Sequence, residues 1–215
     1  VIRWNWIEGG NRQLDLVDAG SATLRDDPRY RTTLVYGNVL IEPDGAGNSQ
    51  VLHYGGDSGE TAAYRKGTLF FFHNTVLSTR STNTTWMRLS TAEETAEAWD
   101  NVVHTTAGGQ YLAISNSDGA IVLTDNWLTE GWRDSHSTLV GTVEDDGTLT
   151  GTDPGFTDLD GQDLHPAPAS AAVDAAGVLP SALIDHPVVY QYVRHQTIEE
   201  RPDDGRPDLG AFEAR

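Results

Sequence analysis

The chain has no cysteine, which excludes a disulfide framework and thiolate chemistry and leaves the redox compartment open. It has one methionine and little lysine, while Thr, Val, Trp and Tyr are abundant, a balance that argues against a helical bundle and for strands. No apolar run approaches the roughly 20 residues that a membrane-spanning helix needs. Positive charge is scarce: 14 Lys and Arg stand against 32 Asp and Glu, a formal net charge of −18. A surface so acidic repels the phosphates of DNA and RNA, and nucleic acid is set aside as a partner. It also opposes polyanionic sugars unless Arg, Lys or a bound cation neutralises the site locally. No initiator Met or signal peptide precedes Val1, so the sequence reads as processed or truncated, with any secretion signal upstream.

What is present suits a single folded domain of 215 residues, 38% hydrophobic and 21% charged. A repeat runs through it. Asparagine recurs in Trp4-Asn5-Trp6-Ile7, Gly37-Asn38-Val39-Leu40, His73-Asn74-Thr75-Val76, Asp100-Asn101-Val102-Val103 and Asp125-Asn126-Trp127-Leu128, at spacings of 33, 36, 27 and 25 residues. Between these segments lies a second series with the alternation of a strand: Leu14-Asp15-Leu16, Leu52-His53-Tyr54, Met87-Arg88-Leu89 and Leu112-Ala113-Ile114. Strict interleaving of the two series describes a solenoid, in which one rung cannot bury its inward side chains but stacked rungs can. Strands of successive rungs then pair in parallel about 4.8 Å apart. Asn5, Asn38, Asn74, Asn101 and Asn126 are expected to form a structural ladder at one corner, each amide bonded to the next.

Uneven spacing means uneven loops. Residues 21–31, 43–48, 57–66 and 78–83, rich in Gly, Asp, Ser and Arg, are expected to leave the coil as surface turns. The repeat fades after Glu130. Residues 1–140 read as rungs and 141–215 as an irregular capping tail of the same domain, in which 167–176 is a short helix or a coat on the coil. Leu164, Val173, Leu209 and Phe212 are expected to be buried there.

The tail resembles the C-terminal end of bacterial right-handed parallel β-helix repeat proteins of the pectate-lyase-like superfamily. The resemblance rests on Asp153-Pro154-Gly155-Phe156, on residues 164–170, on Ala172-Val173-Asp174-Ala175-Ala176-Gly177, and on the closing Arg206-Pro207-Asp208-Leu209-Gly210-Ala211-Phe212-Glu213. It implies an all-β fold, a right-handed parallel β-helix, with further rungs upstream of Val1. It implies little about function, because the superfamily includes lyases, hydrolases, epimerases, adhesins and phage spikes. The Asp-Pro-His-Glu motif of mannuronan epimerases is not found.

Alternation turns Asp15, His53, Arg88 and Ala113 outward as one column. Arg can neutralise a sugar carboxylate bidentately, and His can move a proton. The neighbouring loop Tyr64-Arg65-Lys66 is the one adjacent Arg-Lys pair and a candidate for holding an anionic sugar. Calcium is a possible cofactor, bound through Asp15 and Asp18, Glu144-Asp145-Asp146 or Asp158/Asp160/Asp163, since it takes six to eight oxygens. The absence of an HExxH pattern argues against zinc. The expected function is action on, or binding of, an extracellular polysaccharide by a secreted or cell-surface protein. As a lyase of uronic-acid polymers, it would use Arg88, Arg65 and Lys66 to neutralise the carboxylate, His53 to abstract the α proton, and Asp15 to orient His53 or hold a cation. The alternative is a non-catalytic structural or adhesive β-helix.

Overall fold

The computed structural model describes residues 1–215. The chain coils through six rungs. The first holds β1 (Ile2–Arg3), β2 (Trp6–Glu8) and β3 (Leu14–Leu16), after which α1 (Ala22–Asp26) and a 3-10 turn (Pro28–Arg31) stand off as an excursion. The second holds β4 (Thr32–Tyr36), β5 (Val39–Glu42) and β6 (Gln50–Tyr54). The third holds β7 (Gly67–Phe72), β8 (Thr75–Ser78) and β9 (Thr84–Leu89), and the fourth β10 (Glu94–Trp99), β11 (Val102–Thr105) and β12 (Leu112–Ser115). The fifth keeps β13 (Ala120–Thr124) and β14 (Trp127–Thr129), and the sixth β15 (Thr142–Asp146) and β16 (Leu149–Gly151). Equivalent strands pair in parallel into three sheets, β1-β4-β7-β10-β13-β15, β2-β5-β8-β11-β14-β16 and β3-β6-β9-β12. Parallel pairing therefore runs past residue 140. It was not visible there because Glu144, Asp145 and Asp146 replace the apolar alternation in a strand that has a neighbour on one side only.

Inward residues of all three sheets make one core of 20 buried side chains. Register stacks like on like: Leu40, Val76, Val103 and Leu128 form one such column. Between the first and second sheets the chain turns on a residue in the left-handed region, in turn Trp4, Gly37, His73, Asp100, Asp125 and Gly147. At position 37 glycine is demanded twice over, by φ +63° and by the Trp4 ring, 2.8 Å from where a Cβ would sit. The next residue in the first five rungs is asparagine. Asn5, Asn38, Asn74 and Asn101 each donate through Nδ2 to Oδ1 of the next, at 2.8, 2.9, 3.1 and 2.8 Å. Their backbone N–H groups donate to the same oxygens. The four inner asparagines are fully buried, so each amide satisfies donors and acceptors that water cannot reach.

The tail consists of β17 (Phe156–Asp158) with β18 (Asp163–Pro166) and β19 (Tyr190–Val193) with β20 (Thr197–Glu200), both pairs antiparallel. It packs on the outer faces of the first two sheets. Leu164, Tyr192, Ala211 and Phe212 cover Val39, Ile41 and Leu77. Ala172, Ala176 and Leu209 cover Val102 and Trp127, and Leu183 covers Tyr36 and Phe72. Val173 is only half-buried, and residues 167–176 form turns rather than a helix. The closing motif is a knot. Arg201 donates to the carbonyls of Asp208 and Gly210 at 2.9 and 3.1 Å and pairs with Glu213. Asp208 in turn accepts from the backbone of Asp174 and Ala214. Ala211 N–H donates to Thr75 Oγ1 at 3.0 Å, and Gly210 N–H to the Asp100 carbonyl at 2.8 Å, tying the knot to the third and fourth rungs.

Candidate functional site

The third sheet is the one whose outer face carries none of the tail's apolar contacts. There, β3, β6 and β9 set Asp15, His53 and Arg88 in direct register on neighbouring strands. Ala113 does not continue the column. It pairs with Thr85, three positions before Arg88, because β12 lies against the start of β9.

His53 points outward from the coil but is fully buried. Its Nδ1 lies 3.1 Å from Asp15 Oδ1 and 3.4 Å from Asp57 Oδ2, and its Nε2 lies 2.8 Å from Ser90 Oγ. Arg88 Nη1 reaches Asp57 Oδ1 at 3.1 Å. Arg12 Nη1 reaches Asp15 at 3.3 Å and Asp57 at 3.7 Å. Two carboxylates, two guanidiniums and a neutral imidazole thus form a charge-balanced cluster. Burial holds the His53 pKa below its ordinary value, and Arg88 pushes the same way against the pull of Asp57. Asp15 and Asp57 keep 49% and 46% of their side chains exposed, so the buried imidazole presents two solvated carboxylates.

This placement changes the role of His53. Both ring nitrogens are engaged and neither is exposed, so His53 is not placed to take a proton from a sugar. It orients Asp15 and Asp57. The series Asp15–His53–Ser90 has the connectivity of a nucleophile, base and orienting acid. Ser90 Oγ, however, also accepts from Gly56 N–H and faces the Gly56 carbonyl, both at 2.9 Å. The hydroxyl is a bridge that holds the start of the 57–66 excursion to β9.

Asp15, His53 and Asp57 also bring three ligand atoms within 4.8 Å of one another. Calcium prefers an all-oxygen set, and here Arg12 and Arg88 already supply the cationic charge. Of the other acidic residues, Asp18, Asp158 and Asp163 are tied into the fold, while Glu144, Asp145 and Asp146 lie on the edge strand β15. Asp18 accepts from Asp57 N–H and Ser58 Oγ at 2.9 and 2.6 Å, Asp158 from Gly161 N–H at 3.0 Å, and Asp163 pairs with His165.

The loop Tyr64-Arg65-Lys66 is not brought to this cluster. Tyr64 is buried, its hydroxyl accepting from Gly59 N–H at 3.1 Å. Arg65 stacks 4.2 Å over the Tyr30 ring, and Lys66 pairs with Glu93. Arg12, Asp57 and Ser90 were not singled out from the sequence. Ser90 was within reach, being two residues beyond Arg88, one past the end of β9, and so on the same face. Arg12 and Asp57 come from turns, where no periodicity announces a direction.

No family model, curated protein or solved structure matches the chain.

Proposed function

We propose that this chain forms a right-handed parallel β-helix of the pectate-lyase-like superfamily, secreted or at the cell surface, that binds polysaccharide on the open face of its third sheet. The observation that carries this reading is the row of exposed Asp15 and Asp57 beside half-buried Arg88, held in one geometry by buried His53 and nearly buried Arg12. Carboxylates accept from sugar hydroxyls, and a guanidinium donates to hydroxyl or uronate oxygens in a planar fork. Mounting them on strands lowers the ordering cost of binding. Since both nitrogens of His53 are engaged, binding is favoured over β-elimination. The alternative, an adhesive or structural β-helix, makes the same row a solvated surface.

The test is titration of a panel of neutral, amino and uronic oligosaccharides onto the protein and onto Arg88→Ala, with assay for unsaturated uronides. At least one oligosaccharide should bind, and Arg88→Ala should weaken it about tenfold or more, as loss of a charged hydrogen bond does. Equal affinity in both proteins, or no binding, refutes the site. Release of unsaturated uronides refutes the non-catalytic part of the reading.

A further inference from the structure

The hydrogens of the third-sheet cluster do not pair off without a further cation. Ser90 Oγ lies 2.9 Å from the carbonyl of Gly56, a buried residue whose carbonyl has no other donor. A buried carbonyl takes a donor where one reaches it, so the single Ser90 hydroxyl hydrogen goes there. Ser90 Oγ then accepts, from Gly56 N–H at 2.9 Å and from His53 Nε2 at 2.8 Å. In a neutral ring, hydrogen on Nε2 leaves Nδ1 a bare lone pair. That lone pair faces no donor. Asp15 Oδ1 stands 3.1 Å from it and Asp57 Oδ2 3.4 Å, and both are acceptors. Three acceptors converge on one point, and the imidazole among them is fully buried.

The spacing is that of ligands around a small metal ion. Donors about 2.1 Å from a tetrahedral ion stand about 3.4 Å from one another, and the ligand atoms of Asp15, His53 and Asp57 all lie within 4.8 Å of one another. No backbone group hydrogen-bonds to Nδ1; what covers it is the two carboxylates. These keep 49% and 46% of their side chains in water, so an ion reaches the nitrogen by entering between them. Arg88 Nη1 takes the outer oxygen of Asp57, Oδ1, at 3.1 Å, and Arg12 Nη1 lies 3.3 Å from Asp15, as groups behind metal ligands do. The guanidiniums oppose an ion held by charge alone, which disfavours calcium. Zinc instead makes a directed bond to imidazole nitrogen and takes carboxylate oxygens beside it. We propose that Asp15 Oδ1, His53 Nδ1 and Asp57 Oδ2 bind a zinc ion, with a fourth position open to water or to an oxygen of a bound ligand. Three protein ligands and an open place are the arrangement of catalytic rather than structural zinc. The ligands come from β3, β6 and the turn after β6, so no spacing in the sequence announces them, whereas HExxH sets its ligands on one helix. The zinc site does not depend on the face binding a polysaccharide.

Calorimetric titration of zinc chloride and calcium chloride onto the whole chain, stripped with chelator and dialysed, tests this without any sugar present. One zinc should bind per chain, and calcium at the same concentration should not displace it. Asp15→Ala and Asp57→Ala, each at an exposed position, should weaken zinc about tenfold or more, since loss of even an outer partner costs that much. Unchanged melting curves of the metal-free variants will show that the fold is kept. Cobalt in place of zinc reports the geometry. A tetrahedral site gives strong visible absorption, which His53→Gln should abolish. The proposal falls if zinc does not bind, if calcium displaces it, or if both aspartate variants bind zinc as the parent does. It falls also if cobalt gives the weak spectrum of an octahedral site. Zinc binding without sugar binding would keep this site and remove the polysaccharide reading, and sugar binding without zinc would do the reverse.

Discussion

Replacing Asp100 with asparagine should stabilise the protein at neutral pH and leave it unchanged near pH 4. The Asp100 side chain is fully buried. Oδ1 accepts the Gly177 N–H at 2.7 Å, but Oδ2 has no hydrogen-bond partner. Burial first, then the neighbouring Asp125 carboxylate, raise its pKa from 3.8 to about 6, against the pull of the Gly177 N–H. A folded-state pKa above the unfolded one means that the native state holds the proton more tightly. The cost of ionisation is therefore absent below about 3.8, grows between 3.8 and 6, and is complete above 6. Two pKa units correspond to about 3 kcal/mol. Asparagine keeps the shape, can still accept from Gly177, and suits φ +55°. At roughly 2–4 °C per kcal/mol for a chain of this length, the melting temperature should rise by about 6–12 °C. Melting followed by circular dichroism at pH 7.5 and pH 4.0 measures it. A variant destabilised equally at both pH values would refute the reasoning, and would mean that the carboxylate is an essential partner of His73.

Asn74→Ala removes two acceptor and three donor contacts at the centre of the ladder and should cost on the order of 3 kcal/mol. Asn5→Ala, at a half-buried end, should cost clearly less, and equal losses in chemical denaturation would contradict a stacked column. His104 titrates with the opposite sign to Asp100. Burial lowers its pKa from 6.5 to about 4, so its stabilising effect is whole above 6.5 and lost as pH falls to 4, about 3 kcal/mol in all. His104→Asn, whose carbonyl can still accept from the Thr129 hydroxyl, should flatten the melting temperature between pH 5 and 7; an unchanged slope would assign it elsewhere. Deleting residues 205–215 removes buried Leu209 and Phe212, at about 3–6 kcal/mol, and should lower the melt; no change would contradict the packed tail.

Two strands of each of the first four rungs were legible in the sequence because each carries a marker that repeats. The strand after the corner follows an asparagine, and the third-sheet strand alternates between apolar and polar residues. The first-sheet strand of the second and third rungs has neither. Leu34-Val35-Tyr36 and Phe70-Phe71-Phe72 are apolar on both faces, one inside the coil and one under Leu183, so they show no period. The column of Asp15, His53 and Arg88 was legible as adjacency but not as burial. Local alternation reports which way a side chain leaves the strand. It does not report that Gly56 and Asp57, from a turn, fold back over His53. Arg65 and Lys66 show the same limit: an adjacent basic pair looks like one site, yet its members serve Tyr30 and Glu93.

The knot at residues 208–213 also sets an order of assembly. Ala211 bonds to Thr75, 136 residues earlier, and chains are made from the N-terminus at about 5–20 residues per second. The second sheet therefore waits roughly 7–27 s for the last of its cover after its third rung has been made. Until Leu164, Tyr192 and Phe212 are made and docked, Val39, Ile41 and Leu77 face water beside complete neighbouring strands, a surface on which another unfinished chain can settle. The vulnerable species is then the coil that still lacks residues 164–213, and its yield will depend more on how fast that stretch is made, and on chaperone cover in those seconds, than on the stability of the folded protein.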